Sequence, residues 1–258
     1  MRSVAKIVCV GVLSGVGLAQ TTSTVPPKAM SPDAHPVFEV AAIKRGDPDS
    51  RNGGLYFGGR HVHLQNQTVE WMIAFAFGVH DRQIIGAPGW VATERFDVDA
   101  VPDTQGQPSV KQLQDMLQGL LVDRFGLKTH TEKREMDVYA VTVTRGGPKL
   151  TRSLAGEDAV PTQTGGSRGH MRFTNNTMAD FALGMQSFVD RPVVDRTGLT
   201  GRWNFTLNWT KDDAPVADPD AAPGLFTAVQ EQLGLKLDPV KAAADVLVVD
   251  AVERPGAN

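Results

Sequence analysis

His61 and His63 stand two residues apart in the stretch HVHLQN. A strand sends alternate side chains to opposite faces, so both imidazoles leave one side of the sheet. Paired imidazoles at that spacing are one way to begin a zinc site. A metal needs three or four ligands, and no His-Glu-x-x-His accompanies the pair. At an offset of 109 residues the same positions read His170 and Arg172. The expectation is exposed strand histidines and no metal. Asp97 and Asp99 likewise share one strand face in RFDVDA. Paired carboxylates can do acid–base work, but at the same offset stand Thr206 and Asn208, so the pair reads as a solvated face. His80 and His130 fall near element ends and are expected at the surface. RGGPKL (145–150) has the flavour of a phosphate loop, yet it lacks the glycine-lysine-serine spacing and opens no helix. It reads as the exit of a hairpin. No residue is therefore assigned a catalytic, cofactor-binding or metal role.

The elements that would position these groups are written twice. DRQIIGAPGWVATERFDVDA (81–100) and DRPVVDRTGLTGRWNFTLNW (190–209) align Asp81, Arg82, Gly89 and Phe96 with Asp190, Arg191, Gly198 and Phe205. Each phrase reads as a strand, a turn at glycine and a returning strand. Arg82 and Arg191 are read as pairing with an acid of their own copy or with a helix-end carbonyl. Before the phrases stand the strands HVHLQN and HMRFTN, each followed by a helix with one apolar stripe. Val69, Met72, Ile73 and Ala76 form the first stripe, and Met178, Phe181, Met185 and Phe188 the second. A second helix follows in each copy. Ser109 and Gln112 form a capping box for one, and Gly126 and Gly234 suit the left-handed residue that ends both. LKTHTEKREM with DVYAVTVTR, and LKLDP with DVLVVDAV, read as closing hairpins. The predicted fold is α+β: two tandem β-α-β-β-α-β-β modules from an internal duplication. Module 1 covers 37–152, a linker 153–167, and module 2 residues 168–258.

Ahead of these modules, Arg2 and Lys6 precede the apolar run IVCVGVLSGVGL and the small residues of Gly17-Leu18-Ala19. That is a signal-peptide pattern over 1–19, and 20–36 reads as a disordered tether. Cys9, the one cysteine, lies in the leader, so a mature chain has no thiol for a disulfide, a metal or a nucleophile. Removing 1–19 takes away two bases and no acid, which moves the net charge from −3 to −5. A mildly acidic chain without basic blocks is a poor match for nucleic acid. Trp71, Trp90, Trp203 and Trp209 read as packing residues. The Asn-x-Thr spacings at Asn66, Asn175, Asn204 and Asn208 read as helix-start and strand-face positions.

MRFTNNTMADFALGMQSFVDRPVVDRTGLTGRWNFTLNW, then LFTAVQEQLGLKLDP and DVLVVDAV, resembles the short amino-terminal domain of secretins and TonB-dependent receptors. That resemblance implies two helices packed on small sheets and a role in protein contact and signalling in the periplasm. FEVAAIK, RFDVDA, LQGLLVDRFGLKTHTEKREMDVYAVTVTRGGPKL, RPVVDRTGLTGRWNFTLNW and LFTAVQEQLGLKLDPVKAAADVLVVDAVERP are similar to a secreted, soil-associated bacterial family with a domain of unknown function. This second resemblance implies secretion and an α+β fold, and it supplies no catalytic residues.

The expected protein is a secreted or periplasmic, non-enzymatic protein–protein interaction or signalling module. Its partner would be another envelope or secreted protein. No nucleic acid, no cofactor and no stable membrane span after leader removal are expected. Two alternatives stand beside it: a hydrolase using Asp97, Asp99 or the histidines, and a small-ligand binder in the cleft between modules.

Overall fold

The computed structural model describes residues 29–50, 53–58, 60–155, 159, 161–165, 169–210 and 222–256. The leader and the first part of the tether lie outside them. In chain order the first half contains β1 (Phe38–Arg45), β2 (Gly54–Gly58), β3 (His61–Thr68), α1 (Val69–Phe77), β4 (Ile84–Ile85), α2 (Trp90–Thr93), β5 (Arg95–Pro102), α3 (Val110–Phe125) and β6 (Lys128–Val143). The second contains β7 (Thr151–Arg152), β8 (Thr162–Gly165), β9 (His170–Asn176), α4 (Met178–Met185), β10 (Val193–Asp195), β11 (Trp203–Asn208), α5 (Leu225–Leu233) and β12 (Leu235–Ala251).

Helices and antiparallel and mixed sheets make this an α+β protein. One sheet runs β1-β5-β3-β2, another β7-β11-β9-β8, and a third β10-β6-β12-β4. β3 and β5 alternate as half-buried strands should. Val62, Leu64, Phe96, Val98 and Ala100 face inward, and α1 and α3 lay their stripes over them. The stripe of α1 is buried as the periodicity predicts, and α3 buries Leu113, Met116, Leu117, Leu120 and Leu121 while Val110, at its start, is exposed. Beneath the second sheet lies another core, built on Phe173, Phe181, Phe205 and Val229.

The expected closing hairpins do not form. LKTHTEKREM and DVYAVTV are one strand, β6, and the matching segments are one strand, β12. The two pair antiparallel from Leu235↔Val143 to Ala251↔Lys128. No glycine interrupts either sequence, and the one turn-favouring pair, Asp238-Pro239, is carried in the strand. Pro239 sits inside β12 because its missing N–H costs nothing there. β4 covers only Leu247 and Val248, so β12 is an edge at Pro239. Each long strand leaves its own half. Leu247 and Val249 of β12 belong to the core of the first half, and Val141 of β6 belongs to the core of the second.

Several boundaries move as a result. β7 and β8, read as the end of one module and as linker, are the outer strands of the second sheet. Residues 29–36, read as tether, pack on α3: Met30 is buried, and Gln112 Nε2 donates to the carbonyls of Ser31 and Ala34. The 109-residue offset also fails midway. It holds to Ile84 and Val193, each on a short parallel strand, but Gln67 pairs with Phe96 while Asn176 pairs with Trp203. Phe96 thus corresponds to Trp203, at an offset of 107. The two extra residues are taken up around α2, for which the second half has no counterpart.

Gly126 and Gly234 both end helices at positive φ, 58° and 64°. Their surroundings differ. A β-carbon on Gly126 would meet nothing nearer than Glu253 at 3.9 Å, whereas one on Gly234 would collide with the Gly147 carbonyl oxygen. Gly126→Ala should cost about 1–2 kcal/mol, the left-handed penalty alone. Gly234→Ala should cost clearly more, because backbone has to move. Urea denaturation of the two variants checks this, and equal losses would contradict it.

Candidate functional site on the outer face of the first sheet

β3 and β5 pair in the register His63↔Asp99. Directly opposed residues share a face, so the two outward pairs that the sequence reading kept apart are neighbours. His63 lies across from Asp99, and His61 lies one step along the same face, diagonal to it. Asp99 Oδ1 is 3.0 Å from His61 Nδ1 and 3.4 Å from His63 Nδ1. The two rings stack at 5.5 Å with an interplanar angle of 8°. Ligand atoms of all three residues lie within 4.8 Å of one another. The side chains are 41–54% exposed. Ala42 flanks Asp99 on β1, and Tyr56 and Gly58 flank the histidines on β2. The outer position of Asp99 was legible from alternation. Its pairing with His63 was not, because register depends on a bulge between Leu64 and Gln67.

Asp97 does not join Asp99 as an acid–base pair. Its Oδ1 accepts the backbone N–H of Asn66 at 2.7 Å, and Arg95 donates to the Asn66 carbonyl at 2.9 Å. Asn66 has a φ of 52°, a left-handed conformation that asparagine tolerates better than most residues. The bulge is therefore clamped on both sides. Asn204 and Arg202 do the same for Asn175, whose φ is 58°.

His80 is not a surface residue; it is 7% exposed. Its Nδ1 lies 3.1 Å from the Arg82 backbone nitrogen and its Nε2 3.2 Å from the Val189 carbonyl oxygen. The short 3-10 turn it caps, Asp81–Gln83, thus lies against the residue that precedes the other Asp-Arg phrase. Arg82 reaches the acid of the opposite phrase, Asp190, at 3.9 Å, while Arg191 stays with Asp190 at 3.5 Å. The expectation that each arginine serves its own copy holds only for Arg191. Tyr139 on β6 donates to Asp190 at 2.9 Å and sits under the Arg191 guanidinium. That hydrogen bond, aided by Arg191, holds the Asp190 carboxyl below its ordinary range. Burial, then the bond to Asp190, pushes the Tyr139 hydroxyl up.

His130 is exposed as expected and sits between Asp250 at 2.9 Å and Glu132 at 3.2 Å. Hydrogen bonds to Asp250 and then Glu132 raise its pKa. RGGPKL is a turn after β6, and Lys149 Nζ donates to the Glu231 carbonyl in the last turn of α5, not to a phosphate site. A cleft of about 280 Å³ lies among Ile43, Lys44, Arg45, Phe96 and Arg254. Arg254 and Arg45 there share Glu94, at 2.7 and 3.4 Å. The tryptophans are packing residues: Trp209 is buried against Phe188, Trp71 stacks on Phe75, and Trp90 and Trp203 lie under arginines. Gly165-Gly166-Ser167-Arg168-Gly169 has the glycine-serine-glycine spacing of a hydrolase elbow, which the sequence reading missed. Residues 166–168 lie outside the described residues. The flanking strands β8 and β9 are antiparallel, whereas that elbow joins a strand to a helix.

Fold and surface together define an α+β protein of two helix-covered sheets joined by a long shared ribbon, with one polar His-His-Asp face. Its sequence matches over residues 70–252 the family described as protein of unknown function (DUF3738), and the chain belongs to that family. Asp99 lies within the matched span; His61 and His63 lie ahead of it. No curated protein and no solved structure matches the chain. Among the described residues, no helix is long and apolar enough to cross a membrane.

Proposed function

We propose that the chain is a secreted or periplasmic, non-enzymatic binding protein that engages another envelope or secreted protein. We also propose that its halves descend from one duplicated module. The like strand orders of the two outer sheets and the paired Asn66 and Asn175 bulges support the duplication. The leader pattern supports export.

The observation that carries the binding reading is the edge strand β2. HVHLQN and HMRFTN are not edges, since β3 and β9 are interior strands. The edges fall on β1 and β2 in the first sheet. Among the described residues β2 pairs only with β3, and it presents Tyr56 and Phe57, both more than 40% exposed. An unpaired edge with aromatic side chains beside it is a template for an extended partner segment, which adds a strand by backbone hydrogen bonds. The corresponding strand β8 carries only Thr, Gln and Gly, so the first sheet is the binding one.

Affinity capture from the native envelope fraction tests the reading. Tyr56→Lys with Phe57→Pro should abolish capture of the partner, and Thr164→Pro on β8 should leave it intact. Capture that survives the β2 changes would discard this edge. The polar residues at the junction of the halves, Arg82, Tyr139, Asp190 and Arg191, are engaged with one another, which counts against a ligand cleft there.

A further inference from the structure

We infer that His61, His63 and Asp99 bind one zinc ion, with solvent completing its coordination. Zinc takes imidazole nitrogen and carboxylate oxygen at about 2.0–2.2 Å. Tetrahedral ligands at that radius stand about 3.3–3.5 Å from one another. Asp99 Oδ1 already stands 3.0 and 3.4 Å from the two imidazole nitrogens. The 4.8 Å limit on the remaining separation is closed by small ring rotations, which half-exposed side chains make freely. The backbone needs no change. His63 and Asp99 are directly paired across β3 and β5, and the clamp on Asn66 fixes the register that brings them together.

The donor set selects the metal class. Imidazoles suit zinc, copper and nickel, whereas calcium and magnesium want oxygens. Three protein ligands with an open position is a pattern zinc accepts. Binding puts the ion where the Asp99–His61 hydrogen bond lies: each imidazole ligates through an unprotonated nitrogen, its proton moving to the other ring nitrogen or to solvent, and the aqueous zinc gives up waters for the three protein ligands. Of the three neighbours on that face, Ala42 and Gly58 are small, and Tyr56, opposite His63, carries its ring over Gly54, which leaves room for the fourth ligand beside Asp99.

The molecule carries its own control. In the second sheet the positions facing outward on β9 and β11 are His170, Arg172, Thr206 and Asn208. A guanidinium replaces one imidazole, and no carboxylate is present, so that face has no second and third ligand. The other exposed histidine with acids beside it, His130, offers a single imidazole already engaged on both nitrogens. This inference concerns residues apart from the β2 edge bonds, and either can fail without the other.

The test is calorimetric titration of zinc chloride into the metal-stripped full chain, with thermal melting alongside. One zinc per chain is expected, with a rise in melting temperature. His63→Ala and Asp99→Asn should each weaken binding by more than the ~10–100-fold caused by losing a mere supporting hydrogen bond. His170→Ala should bind as the parent does. Both weakened variants should melt like the metal-free parent, which separates loss of the site from loss of the fold. Absence of zinc binding by the parent overturns the inference. So does binding that persists when His63→Ala and Asp99→Asn are combined, which would place the ion elsewhere, for example at His130.

Discussion

Cut between Ala155 and Ala159, the chain should give two fragments that do not fold alone and that fold when mixed. The first fragment keeps its sheet and both long helices but loses β12. Its core then lacks Leu247 and Val249, and β4 loses its only partner. The second fragment loses β6, and with it Val141 and the strand that β10 pairs with. Each buried aliphatic side chain is worth about 1.5–3 kcal/mol, and a whole domain is stable by only about 5–15 kcal/mol. Losing these contacts and the β6–β12 ladder together removes most of that margin. Near-ultraviolet circular dichroism should show little fixed packing in either fragment and near-complete recovery in an equimolar mixture. A cooperative melt from one fragment alone would contradict this, and would favour two independent modules with a boundary at 153–167.

Phe181→Ala should cost about 3–5 kcal/mol. Phe181 is fully buried on α4, with its ring edge-on to Phe173 at 5.4 Å and to Phe205 at 5.6 Å. Those two rings stack on each other at 4.6 Å. Removing the third ring leaves a void that two strand-borne neighbours cannot collapse into, so the cavity term adds to the lost burial. Phe226→Ala makes the comparison: that ring is 46% exposed and touches Tyr139 only from outside. It should cost less than about 1 kcal/mol. Equilibrium denaturation in urea reads both. Similar values for the two would mean that the aromatic cluster is not the centre of this core.

All the helices but α2, which falls in a segment read as a turn between strands, were legible because their signals are local. Capping at Ser109, stripes at Val69–Ala76 and Met178–Met185, and left-handed glycines at 126 and 234 each sit within a few residues of what they control. The strands of β3, β5, β9 and β11 were legible for the same reason. What failed was register and partner choice. Nothing local says that Met136 runs straight into Asp137, or that Ile84 will lie beside Leu247. Of the candidate site, each pair was visible on its own strand, and only the fold joins His61 and His63 to Asp99. His80 misled because a histidine beside a helix end looks solvent-facing until the opposite phrase arrives to cover it.

The crossing of β6 and β12 also sets an order in time. Gln83 Nε2 donates to the carbonyl of Asp245, a contact spanning 162 residues, and Leu247 and Val249 of β12 complete the first core. A chain emerging from the ribosome therefore carries an unfinished first half until β12 is out. Long-range closure of this kind makes folding slow and leaves apolar surface uncovered meanwhile.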